Sequence, residues 1–146
     1  MSAYANKRFL VIDDQPLARE ALRTIAQNVG AFAVEFASNY QDAIYRIRNN
    51  APDIILCDYV LGEGRSGQQL LEELRRFNLL SDDTIFMMVT GEQAYEQVVS
   101  AVELVPDDYI IKPFSPDRLL ETIREVISES RMSSESKLVD AQFAGD

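Results

Sequence analysis

The sequence predicts an α/β protein built on a doubly wound, five-stranded parallel sheet with helices on both faces. Three observations carry this expectation. Five short apolar runs alternate strictly with segments whose apolar residues recur at three- and four-residue steps. Parallel strands need a crossover connection, which a helix supplies right-handedly, so strict alternation selects a parallel sheet. Four of the runs also end in polar groups: Asp13-Asp14 after the first, Asp58 in the third, Thr90 after the fourth and Lys112 after the fifth. In such sheets sites form outside the carboxyl ends of the strands, where strand order reverses. An order of 2-1-3-4-5 puts that reversal between the first and third strands, the two that end in acids.

Taken in order, residues 1–7 read as a loose start and 9–12 as the first strand. Pro16 suits the first position of a helix whose buried stripe is expected to be Leu17, Ala18, Ala21, Leu22, Ile25 and Val29, with Gly30 ending it. Residues 33–36 form a weak second strand. Ser38 or Asn39 can cap the next helix, which turns Ala43, Ile44 and Ile47 inward and stops before Pro52. The run that opens at Ile54 reads as a strand buried on both faces and holding one carboxylate, Asp58. A glycine-rich loop over 62–67 leads to a helix carrying Leu70, Leu71, Leu74 and Phe77. The fourth strand spans 85–89, and a helix with Tyr95, Val98, Val99 and Val102 follows until Pro106 cuts it off. The fifth strand, 109–111, leads through Lys112-Pro113-Phe114 to a last helix from about Pro116, with Leu119, Leu120, Ile123, Val126 and Ile127 inside.

A chain of 146 residues has room for one domain with a real core, and 47% apolar residues suits a globular protein. One domain is expected over 1–128, with 129–146, rich in serine and charge, as a tail or the start of a linker. A net charge of −10 with no basic patch repels phosphate backbones, so direct DNA binding is not expected. The longest apolar runs, four to five residues, are far short of a membrane span. The N-terminus lacks the basic-then-apolar order of a secretion signal, and a cytoplasmic location is expected. The single cysteine, Cys57, lies in a buried strand and reads as a small core hydrophobe. Histidine is absent, which removes serine–histidine catalysis, histidine zinc sites and service as a phosphohistidine-bearing partner. Any metal must therefore be a hard cation on oxygen ligands.

A carboxylate at the exit of a buried strand is costly unless paired, metal-bound or solvated. Two ionised carboxylates about 5 Å apart repel by about 3 kcal/mol at an effective dielectric of about 20, so a trio calls for a cation. Magnesium fits, because it takes oxygen ligands, keeps several waters and partners phosphate. Lys112 adds a point charge and Thr90 a hydroxyl, the donors that a phosphoryl group in transit needs on its outer oxygens. Simpler readings exist for each residue. Asp13 and Asp14 could merely cap a helix, Thr90 could cap the next, Lys112 could solvate a loop and Tyr109 could be plain packing. Gly62, Gly64 and Gly67 match the spacing of a dinucleotide fingerprint, but that motif belongs on the first strand's tight turn, not here.

Together the Asp-Asp pair at 13–14, the lone Asp58, Thr90-Gly91 and the 108–114 stretch Asp-Tyr-Ile-Ile-Lys-Pro-Phe resemble the receiver domain of two-component response regulators over about residues 7–128. The resemblance implies a flavodoxin-like fold and a phosphorylation switch. It makes Asp58 the acceptor of a phosphoryl group from the phosphohistidine of a sensor histidine kinase or histidine phosphotransfer protein. Asp14, Asp58 and the Val60 carbonyl would ligate Mg2+, with Asp13 acting mostly through water. Lys112 would pair with the phosphoryl group or Asp58, Thr90 would move to meet it, and Tyr109 would turn inward with Thr90. A cis Lys112–Pro113 bond, a downstream output protein or domain and a homodimer formed on phosphorylation are further implications.

The chain also departs from the family pattern. Leu61-Gly62 stands where Met-Pro is frequent, Gly67 comes one residue late, and Val105-Pro106 replaces a common Gly-Ala. Val60 and Glu92 occupy positions that bear on phosphoryl lifetime. Two rival functions are a magnesium-dependent aspartyl phosphohydrolase and a receiver-like domain that binds constitutively. The former usually carries a first-strand Asp-x-Asp, and position 15 here is Gln.

Overall fold

Five parallel strands lie in the order expected. In this computed structural model, which describes residues 7–28, 33–91, 108–112, 115, 117–126 and 128, and Thr90 and Asp108 by backbone alone, the chain runs β1 (Arg8–Ile12), α1 (Pro16–Asn28), β2 (Ala33–Ala37), α2 (Tyr40–Asn49), β3 (Ile54–Asp58), β4 (Val60–Gly62), β5 (Arg65–Ser66), α3 (Gly67–Arg76), β6 (Ile85–Gly91), β7 (Asp108–Lys112) and α4 (117–126). The main sheet is ordered β2-β1-β3-β6-β7 and every pairing in it is parallel. Counting the five long strands alone, that is 2-1-3-4-5.

Alternation along the central strands builds two cores, one on each face of the sheet. Phe9, Val11, Ile54, Leu56, Met87, Val89 and Ile110 point to the side covered by α1 and α4, where they meet Leu22, Ile25, Ala26, Leu119, Ile123 and Val126. Leu10, Ile12, Ile55, Cys57, Phe86 and Met88 point the other way, onto Tyr40, Ala43 and Ile47 of α2 and Leu70, Leu71 and Leu74 of α3. Both faces are covered, so the strands carry continuous apolar sequence without alternating polar residues.

Local signals set the helix ends. Asn39 caps α2, its side chain accepting the Asp42 N–H at 2.8 Å. Ser66 and Gln69 form a reciprocal capping box at α3, with bonds of 3.1 and 2.9 Å. Three sequence expectations need correction. Leu17 is 87% exposed and Ala21 is exposed, because Leu17 lies five residues from Leu22, about 140° around the helix. Phe77 is 55% exposed, because α3 ends at Arg76 and Asn78 turns left-handed (φ 56°) just beyond. The stretch expected to be a loop over 62–67 contains part of a small antiparallel hairpin, with Val60 paired to Ser66 and Gly62 to Arg65. Its tip holds left-handed backbone at Gly62, Glu63 and Gly64. The expected start 1–6, Gly30, the helix after Gly91, Glu92, Val105-Pro106, Pro113, Phe114, Pro116, Ile127 and the tail 129–146 lie outside the described residues.

Candidate functional site

Strand register brings the polar exits to one edge. Ile12 pairs with Cys57, so Asp13 and Asp58 leave adjacent strands at the same level. Asp58 in turn pairs with Val89, and Lys112 with Gly91. Carboxylate oxygens of Asp13, Asp14 and Asp58 lie within 4.8 Å of one another. The Lys112 Nζ reaches across from β7, 3.1 Å from Asp13 Oδ2 and 3.6 Å from Asp58 Oδ1.

Each acid has a different job in this arrangement. Asp13 is 1% exposed and heavily engaged: Oδ2 accepts from Lys112, Oδ1 accepts the Gln15 N–H at 2.9 Å, and its backbone carbonyl accepts Arg19 Nη1 at 2.8 Å. Its carboxylate thus joins the turn that leads into α1, which opens at Pro16, to the Lys112 amine. Asp14 is exposed, and Asp58 is half-buried between them. The Asp58 carboxyl is pushed up to about 6, first by burial and then by the Asp13 charge, with Asp14 adding a little. Lys112 and the Val60 N–H, which donates to that carboxyl, pull the other way without offsetting it. One ammonium cannot neutralise three acids. The donor set, all hard oxygen and short of positive charge, fits a small divalent cation among Asp13, Asp14 and Asp58.

Other expected residues are placed less fully. The backbone of Thr90 lies in β6, paired with Ile111, beside the strand that bears Asp58; its side chain is outside the described residues. Tyr109 is half-buried in β7 and packs against the core on the α2–α3 side. Val60 is 59% exposed at the start of β4. Sequence reasoning missed Arg19, since an arginine on an exposed helix turn looks like any solvated charge. It also missed Gly67 as a packing residue. A Cβ there would come within 2.6 Å of the Asp58 carbonyl oxygen, 2.7 Å of Met88 Sδ and 3.0 Å of Cys57 Sγ. The three glycines that mimic a nucleotide fingerprint thus serve a hairpin turn and a close helix approach.

Similarity to known proteins agrees with this geometry. Residues 9–124 match the response regulator receiver domain family. The chain is 32% identical over 136 residues to the phosphate regulon transcriptional regulatory protein PhoB of Escherichia coli strain K12, covering 93% of this chain and 58% of that protein. It is 29% identical over 120 residues to the response regulator MprA of Mycobacterium sp. strain KMS, covering 82% of this chain and 50% of that one. The chain thus spans only about half the length of the curated relatives it matches. Among solved structures, a CheY-like response regulator receiver domain protein from Methanospirillum hungatei JF-1 superposes with a TM-score of 0.75 at 29% identity, covering 88% of this chain and 99% of that chain. NtrX from Brucella abortus gives 0.78 at 26% identity, covering 92% of this chain and 29% of that one. With the acid trio, the reaching lysine and the sheet order in place, the chain belongs to the receiver domain family of two-component response regulators.

Proposed function

We propose that Asp58 accepts a phosphoryl group from the phosphohistidine of a sensor histidine kinase or histidine phosphotransfer protein, with Asp13, Asp14, Asp58 and the Val60 carbonyl placed to hold Mg2+. The observation that carries this reading is the meeting of three acids with the Lys112 amine at one sheet edge. An Asp58 carboxylate oxygen attacks phosphorus; an O–P bond forms, the P–N bond breaks, and its electron pair leaves on the histidine nitrogen. Bound Mg2+ supplies positive charge to the acids and the phosphoryl oxygens. Lys112 is already within 3.6 Å of Asp58 and needs only a small swing from Asp13 to meet the new phosphate.

The charge placed on Asp58 favours the state in which Lys112 and the Thr90 hydroxyl reach it, and Tyr109 turns further inward as Thr90 leaves its place. The altered surface is then read by a downstream output protein or domain, and a homodimer formed on phosphorylation is one way to read it. Relatives named as transcriptional regulators suit such an output, while a net charge of −10 works against direct contact of this chain with DNA phosphates. The donor chemistry suits the cytoplasm, and among the described residues no helix is long and apolar enough to cross a membrane.

Intact-protein mass spectrometry after incubation with a small phosphodonor and Mg2+ tests the reading. One added phosphoryl group per chain is expected, lost with chelator and absent in Asp58→Asn. No gain in mass, or a gain that survives that substitution, overturns it.

A further inference from the structure

Asp13 and Asp14 supply two of the three carboxylates in the acid pocket, but they are held in different ways. Asp13 is buried and bonded through both backbone and carboxylate: its N–H donates to the Ala37 carbonyl of β2 at 3.1 Å, and its carboxylate meets Lys112 and the Gln15 N–H. Asp14 is exposed, so packing does not set where its side chain stands. Its direction follows from the backbone, and above all from the peptide unit that joins it to Asp13.

That unit is planar, so the Asp13 carbonyl and the Asp14 N–H turn together about the line between the two Cα atoms. The bonds at the Asp13 and Gln15 N–H groups fix the two ends of the turn and leave this rotation open. Arg19 closes it. Half-buried on α1, with its own N–H bonded to the Gln15 carbonyl at 3.1 Å, it folds back so that Nη1 donates to the Asp13 carbonyl at 2.8 Å. A bond of this length from an ionised donor is one of the stronger kinds. Rotating the peptide would break it and, through the tetrahedral Asp14 Cα, swing the Asp14 side chain off its present line.

We propose that Arg19 is a positioning residue of the acid pocket: by holding the carbonyl between the paired acids it keeps Asp14 turned toward the divalent cation. This rests on the reading of the pocket given above. Arg19 touches neither the cation nor the phosphoryl group. Its charge acts in the opposite sense to its bond, because a guanidinium near a cation site repels the cation. On charge alone, removing Arg19 would tighten binding; as a positioning residue, its removal loosens binding. The two roles therefore differ in sign.

The test measures Mg2+ affinity by calorimetry for wild type, Arg19→Met, Arg19→Lys and Arg23→Met, and reads the Asp13 carbonyl carbon shift by NMR in the metal-free proteins. Methionine keeps an apolar stem and a good helix propensity while removing the donor. Arg23 lies one turn further along α1, its guanidinium 5.9 Å from the Phe36 ring centroid, and its loss gives the same change of charge. Each methionine variant is one unit more negative than the wild-type net charge of −10. Arg19→Met is expected to bind Mg2+ about tenfold more weakly, the lower end of what outer-shell partners contribute to metal sites, with the Asp13 carbonyl signal moved. Arg19→Lys, which keeps a donor, falls between it and wild type, and Arg23→Met binds at least as tightly as wild type. Unchanged or tighter binding by Arg19→Met, or an equal loss in Arg23→Met, overturns the positioning role and leaves the pocket reading intact, whatever the melting temperatures do. No saturable Mg2+ binding by wild type overturns the pocket reading and this role with it.

Discussion

Asp58 pays for its place, since the burial proposed to let it meet a phosphodonor away from bulk water also opposes its charge. In the metal-free protein its carboxyl titrates near 6, against an ordinary value of 3.8, because desolvation and the neighbouring Asp13 both favour the neutral form. Between those two values the folded protein keeps a proton that the unfolded chain has released, so stability falls as pH rises through that window. Above about 6 the loss is complete, and below the ordinary value it is absent. Asp58→Asn carries no charge to lose. Without metal it is expected to melt above wild type at pH 7.5, and the gap should close by about pH 4. Parallel melting curves for the two proteins across this range would mean that burial and Asp13 do not strain the acceptor. At this scale the sequence was legible where chemistry was costly: an acid in an apolar run and a lysine at a strand exit both demanded partners. Arg19 gave no such signal, because an arginine on a helix costs nothing in water whether or not it also meets the Asp13 carbonyl at 2.8 Å.

Among the elements, periodicity identified the strands and the described helices, and caps fixed their ends. Asn39 and Pro16 stand at the ends the sequence pointed to, because capping and first-turn preferences act within a few residues and need no tertiary partner. Leu17 and Phe77 were misread because the stripes were drawn too wide: Leu17 sits about 140° around α1 from Leu22, and α3 ends at Arg76, one residue before Phe77. The hairpin was misread for the opposite reason, since whether a glycine-rich stretch pairs with itself depends on what it packs against. Gly67 is the sharpest instance. Alanine is the better helix former by about 1 kcal/mol, so propensity alone favours Gly67→Ala. The added Cβ, however, would meet the Asp58 carbonyl oxygen at 2.6 Å, and backbone cannot step aside as a flexible side chain can. Overpacking of this kind costs about 1–3 kcal/mol and is expected to win. A lowered urea midpoint with unchanged slope is the expected outcome, together with slower phosphoryl uptake as Asp58 is displaced; an unchanged or raised midpoint would show that α3 can lift away freely.

For the whole molecule, the sheet order and the charge combine. An order of 2-1-3-4-5, expected for the sheet, puts the reversal of strand order at the acids, and the structure has that order. The consequence is that a chain of net charge −10 gathers three of its acids at one sheet edge, on elements that come together only when folded. Two effects of added salt therefore need to be separated. Screening of general repulsion is the same for any salt at equal ionic strength, with a Debye length of about 10 Å at about 0.1 M. A cation bound among Asp13, Asp14 and Asp58 stabilises the folded state alone, by about 2.7 kcal/mol at a concentration of about 100 times Kd. For a domain of this size that corresponds to a rise in Tm of about 5–10 °C. Wild type is expected to melt higher in MgCl2 than in NaCl of matched ionic strength by this margin. Asp14→Asn removes an exposed acid with little packing to lose, so it should respond to the two salts alike. If NaCl stabilises wild type as well as MgCl2 does, the acids repel one another in general and do not form a site. If Asp14→Asn keeps the full magnesium margin, the cation is held elsewhere.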